Sequence, residues 1–104
     1  MLGIVTAALP SQVIKVSLPS GQNCVIALYE KSTGLYIDLT VNNVVLLTGV
    51  LCLNRVLLVR QAYLGFVGDL AFIDLLGLTD PVYSGLGTRY QLTYLTPTDV
   101  QANI

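Results

Sequence analysis

The chain has 104 residues, of which 54% are hydrophobic and only 11% charged, with a net charge of -1 and no histidine. Such a length holds one domain, 1–104, and excludes two independent cores. The charge balance excludes a basic nucleic-acid footprint, and the missing imidazole excludes Ser-His-Asp and Cys-His catalysis together with the commonest metal ligand.

Strand-forming residues recur throughout, and no apolar stripe at helical spacing persists beyond a turn. Residues 12–18 (QVIKVSL) alternate, with Ile14, Val16 and Leu18 on one face and Val13, Lys15 and Ser17 on the other. Pro19, Ser20 and Gly21 supply a turn. In a second strand, Cys24, Ile26 and Leu28 oppose Val25, Ala27 and Tyr29, and residues 30–34 form a polar break. The alternation is clearest over residues 35–41, where Leu35, Ile37, Leu39 and Val41 share a face opposite Tyr36, Asp38 and Thr40. A half-solvated antiparallel strand has this pattern. Asn42-Asn43 suits a two-residue hairpin turn, since Asn tolerates positive φ. Residues 44–53 return as the partner strand, with Gly49 marking a bulge or a close backbone approach.

Residues 56–59 form a short apolar strand between Arg55 and Arg60, and residues 66–75 form another that carries Asp69 and Asp74. Three glycines and a proline make residues 76–87 a loop. Residues 89–96 close the fold, with Tyr90, Leu92 and Tyr94 on one face. About seven short strands at this spacing predict an all-β domain, either a small antiparallel β-sandwich or a partly open β-barrel. The segments 1–21 and 97–104 are expected to contact partners.

A mean hydropathy of +0.73 raises the membrane question. A spanning helix needs roughly 18 or more unbroken apolar residues, whereas the longest run here, residues 44–53, is bracketed by Asn42, Asn43, Asn54 and Arg55. No basic segment precedes an apolar stretch at the N-terminus, so no secretory signal is expected. A small chain this short of charge cannot bury half its residues in its own core, and large apolar patches mark interfaces. Obligate assembly is therefore expected. Cys24 and Cys52 are expected as free, buried thiols.

No Walker loop and no GxGxxG is present, and no cofactor or metal is expected. Asp69 and Asp74, five apart, point to opposite faces of a strand, which suits solvated or ion-paired carboxylates better than an acid-base pair. Arg55 and Arg60 suit ion pairing with those aspartates or an interface better than phosphate binding. Tyr36, Tyr83, Tyr90 and Tyr94 suit core and interface anchors better than a nucleic-acid stacking platform, which would need a basic groove. Thr79-Asp80-Pro81 reads as a turn capped by its own aspartate. Gly85 and Gly87 permit a tight reversal or a partner's close approach. The candidate interface is Tyr36, Arg55, Arg60, Tyr83, Gly85, Gly87 and Arg89.

The segments 32–41 (STGLYIDLTV), 47–74 (LTGVLCLNRVLLVRQAYLGFVGDLAFID) and 80–95 (DPVYSGLGTRYQLTYL) resemble the baseplate plug proteins of contractile-tailed bacteriophages. The resemblance covers residues 22–96 in order, and its motifs LTGVLCLN and YLGFVGDL are specific as a set. It implies a non-enzymatic virion protein, assembled in the bacterial host cytoplasm. It implies association with baseplate hub, spike and tail-tube proteins at the axial channel, with no small-molecule substrate, nucleic acid or membrane as partner. With the apolar excess, it leads to a homo-oligomeric ring whose subunits present sheet edges to one another. A tail-tube or tube-initiator ring subunit is the nearest alternative. A small outer-membrane β-barrel would need about eight strands of nine to eleven residues, which fills or exceeds the chain. A lipocalin-like carrier would need a polar cluster that the sequence lacks.

Overall fold

The computed structural model describes residues 2–18, 21–59 and 66–96. These form seven strands: β1 (Leu2–Ile4), β2 (Ser11–Ser17), β3 (Asn23–Lys31), β4 (Gly34–Val41), β5 (Val44–Leu51), β6 (Asp69–Asp74) and β7 (Tyr90–Leu95), with a 3-10 turn at Tyr83–Gly85. The strands make a four-stranded sheet in the order β2-β3-β4-β5 and a three-stranded sheet in the order β1-β7-β6, with neighbouring strands antiparallel throughout. The two sheets share one apolar core, as a small sandwich does, and do not close into a barrel among the described residues. Among those residues no helix is long and apolar enough to cross a membrane.

The alternation of the sequence sets the register. In the four-stranded sheet Cys24, Ile26 and Leu28 of β3 stand beside Leu35, Ile37, Leu39 and Val41 of β4, all buried. Opposite them Leu70 and Phe72 of β6 and Tyr90, Leu92 and Tyr94 of β7 are also buried. Asn42 and Asn43 have φ of +49° and +67°, the left-handed pair that a twisted two-residue hairpin requires. Gly49, at φ +64°, lies where the β4–β5 register slips between Ile37 and Leu39, and its N–H donates to Asp38 Oδ1 at 2.7 Å. The bulge predicted at that glycine is present.

Three expectations change. Residues 56–59 do not form a strand; the segment is fastened to the free side of β6 by Arg55 N–H to Phe72 O (2.7 Å) and Leu58 N–H to Leu70 O (2.9 Å). Leu2–Ile4 supplies the seventh strand instead, pairing with β7 through Leu2↔Tyr94 and Ile4↔Leu92. The strand expected over 66–75 is shorter, beginning at Asp69. Part of the turn expected at Pro19 and Ser20, and all of the tail 97–104, lie outside the described residues.

Candidate functional site

Immediately after β6 the chain enters a loop whose side chains face outward: Leu75, Leu76 and Leu78 are exposed, the last two at 77% and 83%, and Val82 joins them. Solvent-facing leucines gain nothing from folding alone, so the shape of the loop must be set by something else. It is set by Asp74. Its carboxylate is fully enclosed and accepts five donors. Oδ1 takes Leu76 N–H at 3.0 Å and Arg89 Nε at 2.8 Å; Oδ2 takes Thr79 N–H at 2.9 Å, Thr79 Oγ1 at 2.8 Å and Arg89 Nη2 at 2.9 Å. Arg89 Nη2 also reaches Thr79 Oγ1 at 2.8 Å, and the Tyr90 hydroxyl lies 3.0 Å from the same oxygen.

The Arg89 guanidinium holds the Asp74 carboxyl well below the usual carboxylate range, with the Thr79 and Leu76 donors adding to it and burial opposing. Asp74 in turn raises the Arg89 pKa. A satisfied buried ion pair gives geometry more than net stability. Here it spans the two ends of the leucine loop, 74–79 and 89–90, and holds the leucines out on a rigid base. Beside them Val5, Leu75, Gly3, Thr6 and Tyr90 line a cleft of about 180 Å³, and Val5 is 88% exposed.

The candidate interface residues fall into separate places. Arg89 is committed to Asp74 and lies over the Tyr90 ring, 5.2 Å from its centroid. Gly85 and Gly87 shape the same corner. A Cβ at Gly85 would sit 2.6 Å from the Tyr90 ring, and one at Gly87, where φ is +83°, would sit 2.5 Å from Thr6 O. Both glycines thus accommodate this chain's own packing. Tyr83 is half-buried, packs on the core, and donates its N–H to Glu30 Oε1 at 3.1 Å. Arg55 is exposed, with φ +59°. Tyr36 lies on the outer face of β4, stacked on Tyr29 with ring centroids 6.0 Å apart and Lys31 Nζ 5.4 Å from each ring. Arg60 lies outside the described residues.

Tyr36, Tyr83, Tyr90 and Tyr94 make no common platform, because Tyr90 and Tyr94 turn into the core. Neither aspartate of β6 is solvated. Asp69 Oδ1 accepts the N–H groups of Leu58 (3.1 Å), Val59 (2.8 Å) and Leu70 (2.6 Å), and Asp74 takes Arg89. Asp80 does not cap its own turn; it accepts Asn54 N–H at 3.0 Å, fastening the loop to the segment beside β6.

Sequence reasoning missed Thr79 and the leucines. Thr79 carries no local signal, since its partners lie five, ten and eleven residues away. The leucines did carry one: four large apolar residues in a loop rich in glycine have no strand on which to be buried.

The outer face of the four-stranded sheet is a second apolar surface. Val13, Val25, Ala27, Val45 and Leu51 share it with Tyr29 and Tyr36, and Val13 and Val45 are 65% and 63% exposed. Its carboxylate, Asp38, accepts Tyr29 Oη at 2.8 Å as well as the Gly49 N–H, and this bond raises the Tyr29 pKa. Among the described residues no group of His, Cys, Asp or Glu is placed to hold a metal.

Against known proteins, residues 1–97 match the family described as cyanophage baseplate Pam3 plug gp18. The match extends beyond the 22–96 read from the motifs and takes in β1 and β2. No curated protein matches the chain significantly.

Proposed function

Because the chain belongs to the cyanophage baseplate plug family, we propose that it acts by assembly alone, as a single β domain in a homo-oligomeric ring at the axial channel of the tail. In this reading the ring contacts the baseplate hub, spike and tail-tube proteins and catalyses nothing. One observation carries the reading: an apolar loop with two leucines more than three-quarters exposed is built on a buried, fully hydrogen-bonded carboxylate. A flexible greasy loop would be a liability in solution, whereas a rigid one is pre-organised for docking and loses little freedom on binding. At the cleft beside it, the exposed Val5 and Leu75 add to the same apolar surface.

The test is incorporation. A Leu76→Asp/Leu78→Asp chain keeps its core and its Asp74–Arg89 pair, so it folds as the wild type does. It is expected to be absent from purified tails when supplied in place of the wild-type chain. Tails that carry it at wild-type level would overturn the role given to the loop.

A further inference from the structure

The four-stranded sheet is wider than the sheet that covers it, and its two edges show the same deficit. Inward side chains of the central strands, such as Ile26, Ile37 and Leu39, are completely buried. The inward side chains of the edge strands are not. Ile14 and Val16 on β2, and Leu46, Leu47 and Val50 on β5, pack against the core but remain partly exposed. Each edge therefore carries a half-covered apolar row on its inner face.

Among the described residues the edges are also open in their hydrogen bonding. Leu18 N–H donates to Gln22 O and Glu30 N–H donates to Pro10 O, each at 2.9 Å. Antiparallel bonding alternates, so Gln12, Ile14 and Val16 turn their backbone groups to β3, and those of Ser11, Val13, Lys15 and Ser17 face outward. On β5, Cys52 N–H donates to Leu35 O at 2.8 Å, which phases Val50 toward Ile37 and leaves Leu51 facing out. The two-residue turn pairs Val44 with Val41 and leaves Val45 facing out. Strand β5 (VVLLTGVL) has no charge and no proline, and β2 has Lys15 alone. Natural edges are usually blunted by charges, prolines or bulges, and Lys15 on β2 and the register shifts of β5 are all that these two strands carry.

Four antiparallel strands place β2 and β5 in opposite directions. When a second copy stands beside the first, related by rotation about an axis along the strands, β5 of one copy meets β2 of the next antiparallel. We propose that this edge-to-edge joint, β5 to β2 of the next copy, is the contact that builds the ring. It merges the row Ile14 and Val16 with the row Leu46, Leu47 and Val50 into one apolar face, and Lys15 meets an uncharged strand. The contact is heterologous, so it propagates until rotation closes it. The inference rests on the ring reading above and adds which surfaces meet.

The test uses two edge-blocked chains. Val13→Pro removes an outward N–H on β2, and Val45→Pro removes one on β5; neither takes a bond from the ladder within the chain. The wild-type chain is expected to sediment as a multi-subunit ring and each variant as a monomer. An equimolar mixture is expected to give a two-chain species and nothing larger, because one open β5 meets one open β2. Dimers from either variant alone would indicate a like-to-like joint and overturn the proposal. Wild-type-sized rings from both variants would overturn it while leaving the ring intact. A monomeric wild-type chain would overturn the ring itself.

If proline unfolds a variant, Val13→Cys and Val45→Cys chains joined by a short bismaleimide read the same contact, since Cys24 and Cys52 are buried. Cross-linked dimers are expected in the mixture only, and homodimers from a single variant would contradict the joint.

Discussion

At the scale of single residues, burial decides the chemistry. Cys24 and Cys52 are free thiols in the core, and burial raises both pKa values, that of Cys52 to about 12. A thiol reacts as its thiolate, so neither should react with a disulfide reagent at pH 8 in the native protein, and both should react in denaturant. Fast native labelling would contradict their placement. Asp74 is the opposite case, a carboxyl held ionised by Arg89. Its folded pKa is depressed, so the stability it contributes is fully present above the unfolded value of about 4 and is lost as pH falls below that. Acid unfolding should show this directly. The stability difference between the wild type and Asp74→Asn should be large at pH 7 and shrink on acidification below about pH 4. A difference constant from pH 7 to pH 3 would remove Asp74 from the account.

At the scale of elements, β3 and β4 hold the core, and Phe72 of β6 lies fully buried opposite them. Phe72→Ala leaves a cavity and should cost about 3–5 kcal/mol, which a denaturant titration reads as a lowered midpoint with an unchanged slope. That is a large part of the margin of about 5–15 kcal/mol typical of a folded domain. The strands most legible in the sequence are those with one wet face. Leu35, Ile37 and Leu39 alternate with Tyr36, Asp38 and Thr40, and that alternation is the burial pattern of β4. The Asn42-Asn43 turn and the Gly49 bulge were equally legible, because each demands a positive φ that few residues accept. β1 was not legible. Three residues cannot display a period, and Leu2–Ile4 is a strand only because β7 offers it an edge. Residues 56–59 misled for the converse reason: their apolar run is satisfied by docking against β6 through two backbone bonds rather than by a ladder. The Asp74 cluster was half legible. The carboxylate and Arg89 were both marked in the sequence, but their meeting is a product of the β6–β7 pairing, which places Asp74 beside Tyr90.

At the scale of the whole molecule, composition and shape agree. The described chain buries a core of ordinary quality and still leaves Val5, Leu76, Leu78, Val13 and Val45 in solvent. The protein is a structural component of the phage tail baseplate by family, and assembly with other baseplate proteins accounts for the apolar side chains it leaves uncovered. In the proposed assembly the leucine loop serves unlike partners and the sheet edges, which lie on separate elements, serve copies of the chain. Loss of the loop leucines should therefore leave ring size unchanged while abolishing incorporation, and sedimentation of Leu76→Asp/Leu78→Asp checks this. A change of ring size would show that the two surfaces are one.

The most direct measurement is the density of the parent particle by cryo-microscopy. The account predicts copies of this fold around the tail axis in the baseplate, with residues 75–82 buried against a different protein. Density placed at the baseplate periphery, or a leucine loop facing solvent in the assembled particle, would contradict it.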